Sequence, residues 1–404
     1  MATTKPARTK RKPKEESESG LPVGAVTLST PLLVSALERL VSIVPRRAGA
    51  MSPYEIGVRI QVVEKNVEIS AVDGYELYGS VEVPAIDSGG NSVEVWDARK
   101  LYAMLKVGNG PEVTLDGSKR SRGTITVGAS VYSMPLYGEP EEFPTIEWDD
   151  EVASLPASVV DALQRVEYAV GTPDDGLEYS HAQVAEDGRV TGFNGSAIQS
   201  VVVAPWSWGS LLVPSPALSH FDFLSIPEGT DEVLLLSGKS GSQEYVGLSV
   251  SGRILAYAKP RVEAHDLSTT WGIVSEVLED SSTLRIETDT LLAALNAAKV
   301  QSDPRLPVVT LVLGESCKLT AQTDEVNTFV YSFPSAVTVW EGAKGTEVRV
   351  GLYHLFEMVN EAPDEVIDLK IETVVPASRR PYVQLVTSDD AHAVIQQVSG
   401  SVGA

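Results

Sequence analysis

Apolar and polar residues alternate along most of this chain. Runs such as Val58-Arg59-Ile60-Gln61-Val62 and Thr124-Ile125-Thr126-Val127 have the two-residue period of strands with one buried face, which predicts antiparallel sheets. Short dipeptides that accept a positive φ punctuate them: Asp73-Gly74, Asp116-Gly117, Asp187-Gly188 and Asn194-Gly195 read as tight turns. Three stretches switch to helical spacing, at residues 30–41, 156–166 and 288–298, and each carries two aliphatics followed by Ala-Leu. The first opens on Thr30-Pro31, a pair suited to a cap and first helical position.

The starts of these three stretches lie about 125 to 130 residues apart, a domain-sized period. A weaker helical pattern recurs at residues 97–105, 215–221 and 352–359, each beginning roughly 60 to 65 residues after the first helix of its unit. The chain therefore reads as an internal threefold repeat in which each unit is itself a doubled half of one helix and several strands. This divides it into a tail at 1–22 and units at 23–148, 149–282 and 283–404.

Composition narrows the class. No apolar run is long enough to span a bilayer, and the first twenty residues have no apolar core to make a secretion signal, so a soluble, intracellular protein with no membrane contact is expected. The single cysteine, Cys317, excludes an intrachain disulfide framework and suits a reducing compartment. The formal net charge is −23, which repels nucleic acid unless the basic groups are gathered in one place. The tail is locally basic, with Lys5, Arg8, Lys10, Arg11, Lys12 and Lys14 against Glu15, Glu16 and Glu18. It lacks apolar periodicity and reads as disordered, a solubilising leader or an electrostatic tether for DNA.

No catalytic constellation stands out. Gly238-Lys239-Ser240 has the end of a phosphate-binding loop, but Val233 stands where that loop needs its first glycine, so the segment reads as a hairpin turn. The five histidines are scattered, with no metal-ligand or nucleophile-base spacing. Among so many carboxylates nothing singles out a catalytic pair. A non-enzymatic protein with no cofactor and no metal is expected.

The ordered series of segments resembles the bacterial DNA polymerase III beta subunit, or sliding clamp, family, including its bacteriophage-type relatives. In the first unit, Val26-Thr27-Leu28 and its helix are followed by Val67-Glu68-Ile69-Ser70-Ala71-Val72-Asp73-Gly74. Next come Val93-Glu94-Val95-Trp96-Asp97-Ala98-Arg99-Lys100-Leu101, Tyr132-Ser133-Met134-Pro135 and Glu142-Phe143-Pro144-Thr145-Ile146. Leu211-Leu212-Val213-Pro214 continues the likeness in the second unit, and Leu319-Thr320-Ala321 with Val348-Arg349-Val350-Gly351 in the third. The likeness spans almost everything but the tail.

The resemblance implies an α+β fold of three tandem clamp domains, each with two helices packed on antiparallel sheets. Two chains would meet head to tail in a closed homodimeric ring around double-stranded DNA. It implies a processivity factor that holds the replicative DNA polymerase, is placed by a clamp loader, and works in the bacterial cytoplasm or nucleoid. The cations expected to face DNA in the pore are Arg39, Arg46, Arg47, Arg99, Lys100, Lys106, Arg165 and Lys299. The groove that receives partner peptides falls by position on Gly195, Ile198, Pro214, Phe356, Val394 and Gln396, and the dimer interface on Tyr132, Met134 and Val300.

Two segments depart from the family. Phe193-Asn194-Gly195-Ser196-Ala197-Ile198 lacks the arginine of the family's groove motif, and Gln396-Gln397-Val398-Ser399-Gly400 is far less apolar than its C-terminus. The alternative architecture is a structural or adhesive multi-domain β protein of virion type, which would have no use for six evenly spaced helices.

Overall fold

A computed structural model describes residues 21–46, 53–74, 76–119, 121–137, 140–149, 153–176, 179–206, 209–264, 266–267, 281–302, 307–322, 328–372, 382–387 and 392–396. The tail and Arg47 lie outside the described residues. Six α-helices occur among them: α1 (Thr30–Ile43), α2 (Ala98–Val107), α3 (Ser158–Val166), α4 (Ser215–Leu218), α5 (Thr288–Gln301) and α6 (Leu352–Asn360). Each falls where the sequence predicts a helix. All strand pairing is antiparallel, so the architecture is α+β. No described helix is long and apolar enough to cross a membrane.

The chain gathers into two compact units, one of residues 1–153, 222–227 and 233–259, the other of 154–221, 228–232 and 260–404. The boundary cuts through the second sequence repeat. In the first unit Arg253–Ala258 pairs with Leu77–Ser88, from Arg253 opposite Val81 to Tyr257 opposite Leu77. The sheet then continues through Ala25–Ser29, Glu112–Asp116 and Arg122–Val127 to Ser130–Pro135 at its end. In the second unit Ala197–Val202 pairs with His392–Gln396, joining the other half of the middle repeat to the third. A separate four-stranded sheet there runs Thr328–Ser332, Lys318–Gln322, Val308–Leu313, Thr346–Gly351.

Helices cover one face of these sheets because their apolar residues recur every three or four positions. On α1 the buried stripe is Leu33, Ala36, Leu37, Leu40 and Ile43, which packs on the strands Asn66–Asp73 and Leu77–Ser88 and against α2. Each of those large side chains stabilises by about 1.5–3 kcal/mol on burial. Gly79 permits the approach, since a Cβ there would lie 2.3 Å from Ile43 Cδ1. In the second unit α5 and α6 pack together over Leu284, Ile286, Leu311 and Leu369.

Three of the four expected turn glycines, Gly74, Gly188 and Gly195, adopt positive φ. Gly117 does not. The strands around it are joined by a longer loop, and a Cβ at Gly117 would sit 2.3 Å from Glu94 Cγ, so close packing explains this glycine. Gly238-Lys239-Ser240 is the end of the strand Glu232–Ser240, and the turn itself follows at Gly241, with Ser240 opposite Gln243.

Candidate functional site

The basic groups expected to face DNA are mostly tethered at one end. Arg99, in the first turn of α2, donates from Nη2 to the carbonyls of Val44 at 2.7 Å and Val41 at 3.4 Å, closing the C-terminal end of α1. Lys100 stands 3.0 Å from Asp97, the N-cap of α2, whose carboxylate also accepts from the Lys100 amide at 2.9 Å and the Tyr137 hydroxyl at 2.7 Å. Burial opposes ionisation of Asp97, but those three donors outweigh it and hold its carboxyl below the usual range. The Lys100 side chain remains 62% exposed.

Nearly two helix turns on, Lys106 lies 3.8 Å from Glu38 of α1 and 4.8 Å over the Tyr102 ring, while the Tyr102 hydroxyl donates to Glu38 at 2.7 Å. Arg46, just after α1, is exposed. Together Arg46, Arg99, Lys100 and Lys106 place positive charge on the surface of the α1–α2 pair. Arg39 is different: it is half-buried and donates from Nη1 to the carbonyls of Asp222 and Phe223, both at 3.2 Å.

The second unit carries fewer such groups. Arg165 on α3 is half-buried. Lys299 on α5 lies with its ammonium 3.3 Å from the centroid of the Phe356 ring and 5.7 Å from that of Tyr353, both on α6. The exposed positions of α5, Asp289, Ala293, Asn296, Val300 and Gln301, include no cation.

Of the six expected groove residues, the fold brings two side chains together. Ile198 and Val394 face each other across paired strands and form a buried cluster with Leu267, with Phe193 and Tyr382 packed against it. Tyr179 meets Phe193 edge to face at 5.4 Å. Gly195 sits beside them in the turn, at φ 83°, where Asn194 Oδ1 accepts from the Ser196 and Ala197 amides at 3.0 and 2.8 Å. Gln396 ends the neighbouring strand, opposite Tyr382.

Phe356 and Pro214 do not belong to the cluster. Phe356 packs against the core of α5 and α6 beneath Lys299, and Pro214 ends an edge strand opposite His181, with two strands between it and Ala197–Val202. Phe193, Tyr382 and Leu267 are the members sequence reasoning missed. Phe193 was within the aligned segment, but the other two are distant in the chain and only the pairing of Tyr382–Val386 with His392–Gln396 brings Tyr382 in.

The interface candidates separate in the same way. Ser130–Pro135 alternates so that Tyr132 is half-buried and Met134 is 2% exposed, while Val131 is 67% exposed. Met134 is thus a core residue and cannot reach another chain from that face. Val300 is 81% exposed at the end of α5, Val107 is 76% exposed at the end of α2, and Val330 is 53% exposed on Thr328–Ser332. Among the described strands, Ser130–Pro135 and Thr328–Ser332 each end a sheet and have one hydrogen-bonded neighbour.

No protein-family model matches the sequence, and no curated protein matches it by sequence comparison. Solved structures do. The chain is similar to a DNA polymerase sliding clamp from Pseudomonas aeruginosa, at 14% identity, covering 93% of this chain and 99% of that one with a TM-score of 0.74. A DNA polymerase III beta subunit from Thermotoga maritima matches at 14% identity, 93% and 100% coverage and TM-score 0.74. One from Borrelia burgdorferi, solved with a natural product, matches at 12% identity, 94% and 99% coverage and TM-score 0.77. The fold is therefore that of the sliding clamps over nearly the whole chain, and not an array of adhesive β domains.

Proposed function

We propose that this protein is a DNA sliding clamp, a non-enzymatic processivity factor that encloses duplex DNA and tethers a replicative polymerase. The observation that carries this is the end-to-end match of an unusual repeated architecture to clamp structures, with coverage of both chains above nine-tenths. In this reading residues 23–148, 149–282 and 283–404 are three clamp domains. Two chains close head to tail, the edge strand Ser130–Pro135 of one pairing with Thr328–Ser332 of the other. Closure would satisfy both open edges, and Val107 and Val131 would cover Val300 and Val330.

Function then follows from topology. A closed ring leaves DNA only by opening or by sliding off an end, so processivity needs no tight contact with any base. The overall charge of −23 keeps the outer surface from holding DNA. Arg46, Arg99, Lys100, Lys106, Arg165 and Lys299 supply a weak, sequence-independent attraction on the helices that line the opening. The half-buried Phe193 and Tyr382, which pack on the buried Ile198, Leu267 and Val394, receive a short apolar peptide from the polymerase or the clamp loader. Its altered turn, with Ser196 and Ala197 where the family has a cationic side chain, selects a different peptide sequence. Such a protein works without cofactor in the bacterial cytoplasm or nucleoid.

The test is topological. Clamp loaded on nicked circular DNA is retained during gel filtration, and linearising the circle releases it. Retention after linearisation, or equal retention on linear and circular DNA from the start, would refute enclosure.

A further inference from the structure

A cavity of about 140 Å³ in the first unit is lined by Leu32, Ser35, Ala36 and Arg39 of α1, by residues 81–84 of the neighbouring strand, by Ser251 of a hairpin turn and by Arg253 of the strand that follows it. One water needs about 10–15 Å³ by this measure, so the space suits a small ligand. Its two cations share an arrangement. Arg253 Nη1 donates to the carbonyls of Leu224 and Ser225 at 2.5 and 2.7 Å, and Arg39 Nη1 donates to those of Asp222 and Phe223. Each guanidinium thus spends one nitrogen on a continuous stretch of backbone, and among the described residues neither forms an ion pair with Glu82, which also lines the cavity. The Nε and Nη2 groups of each guanidinium remain as a planar pair of donors.

We propose that this cavity binds a carboxylate carried on a short aliphatic stem, its oxygens between the guanidiniums of Arg39 and Arg253 and its stem against Leu32, Val81 and Val83. Two like charges held together with no carboxylate in ion-pair contact favour an anion. Burial and the nearby Arg39 charge both push the pKa of Arg253 down, the direction a bound anion would reverse. The walls decide which anion. A phosphate group presents oxygens on every side and would leave some against Leu32, Val81 and Val83, whereas a carboxylate has one polar end and one apolar end. The Glu82 carboxylate in the same lining further disfavours a doubly charged ligand. Ser251 and Ser225, on the two loops that hold the cations, both adopt positive φ, at 49° and 44°, a strained backbone of the kind found around binding sites.

The probe is sodium butyrate, titrated into the full chain at constant ionic strength and followed through the methyl NMR signals of Val81 and Val83. Parallel titrations use sodium chloride, methyl phosphate and the blocked peptide acetyl-Leu-Glu-Leu-amide. Saturable butyrate shifts that chloride does not reproduce are expected. Peptide binding tighter than butyrate identifies a protein's acidic side chain as the source, and butyrate binding alone identifies a free acid. Arg253→Lys should weaken butyrate about tenfold, the loss of one charged hydrogen bond. Glu82→Gln, which disturbs no carbonyl contact, should tighten it about two- to fivefold. Absence of saturation, methyl phosphate binding as tight as butyrate, or no response to Glu82→Gln would overturn the assignment.

Discussion

Arg99 joins two roles that a pair of substitutions can separate. Its guanidinium closes the last turn of α1 through Val44 at 2.7 Å, with a weaker contact to Val41, and its exposed face belongs to the positive surface of the α1–α2 pair. A hydrogen bond to a charged donor is worth about 1.5–3 kcal/mol when shielded, and exposure reduces this, so Arg99→Ala should destabilise by about 1 kcal/mol. For a unit of this size that lowers the melting temperature by about 2–4 °C. Lys100 makes only a surface pair with Asp97, worth about 0.3–0.5 kcal/mol, so Lys100→Ala should leave the midpoint almost unchanged. On DNA the two should look alike. Each removes up to one phosphate contact and flattens the plot of log affinity against log salt by about 0.9. Calorimetry gives the first quantity, and anisotropy of a labelled duplex at several salt concentrations gives the second. If Arg99→Ala and Lys100→Ala shift the midpoint equally, the capping role is wrong. If the double variant keeps the full salt slope, neither residue meets phosphate.

The pH dependence of stability should show Glu94, whose pKa burial pushes up to about 7, aided by Asp116 and opposed by Ser92. A carboxyl whose folded pKa is raised stabilises fully below its unfolded pKa near 4.5, and that contribution is lost as pH rises through about 7. Melting temperature should therefore fall between pH 5 and pH 8 by more in the parent than in Glu94→Gln, and parallel curves would remove Glu94 from the account. Val300→Asp should yield monomers in sedimentation at concentrations where the parent is dimeric, with an unchanged melting transition of the chain. Met134→Ala should do the reverse, costing about 2–5 kcal/mol of stability as a core truncation while leaving assembly intact. Phe193→Ser should weaken capture of a polymerase-derived peptide by more than about tenfold, and unchanged capture would move the peptide site elsewhere.

Local patterns carried much of the fold. The paired aliphatics of α1, α3 and α5 and the alternation of the strands depend on neighbours along the chain, and all fell where the sequence placed them. The α4 segment shows where that reasoning ends. Its pattern extends to Phe221, yet the helix stops at Leu218 and a 3-10 turn follows at Phe221–Phe223. The carbonyls of Asp222 and Phe223 are taken by Arg39, a residue more than 180 positions away, and so belong to no continuing helix. The same limit governed the interface. A strand's two-residue period identifies Tyr132 with Met134 as one face and Val131 with Ser133 as the other. Which face is inward depends on what packs behind, and here the core takes Met134.

On the function proposed above, the anchoring of the cations explains how an acidic clamp can keep so few of them. Arg99 ties the end of α1 to the start of α2, Lys100 stands on that helix's cap, and Lys106 bridges to Glu38 through Tyr102. Lys299 lies across an aromatic face. These anchors cost the charges little of their reach, because three of the four side chains, Arg99, Lys100 and Lys106, are long and exposed. Anchoring does restrict where each charge can stand, and a charge fixed on a helix surface meets a passing phosphate through water without folding around it. Strong, adaptable contacts would arrest a sliding ring. In the proposed ring a short set of restrained cations within a repelling acidic shell would hold duplex DNA loosely, and an α5 surface neutral from Ala293 to Val300 apart from Lys299 is compatible with sliding. Adding cations there, as in Ala293→Lys, should steepen the salt dependence and slow diffusion along DNA, and faster diffusion in that variant would contradict this account.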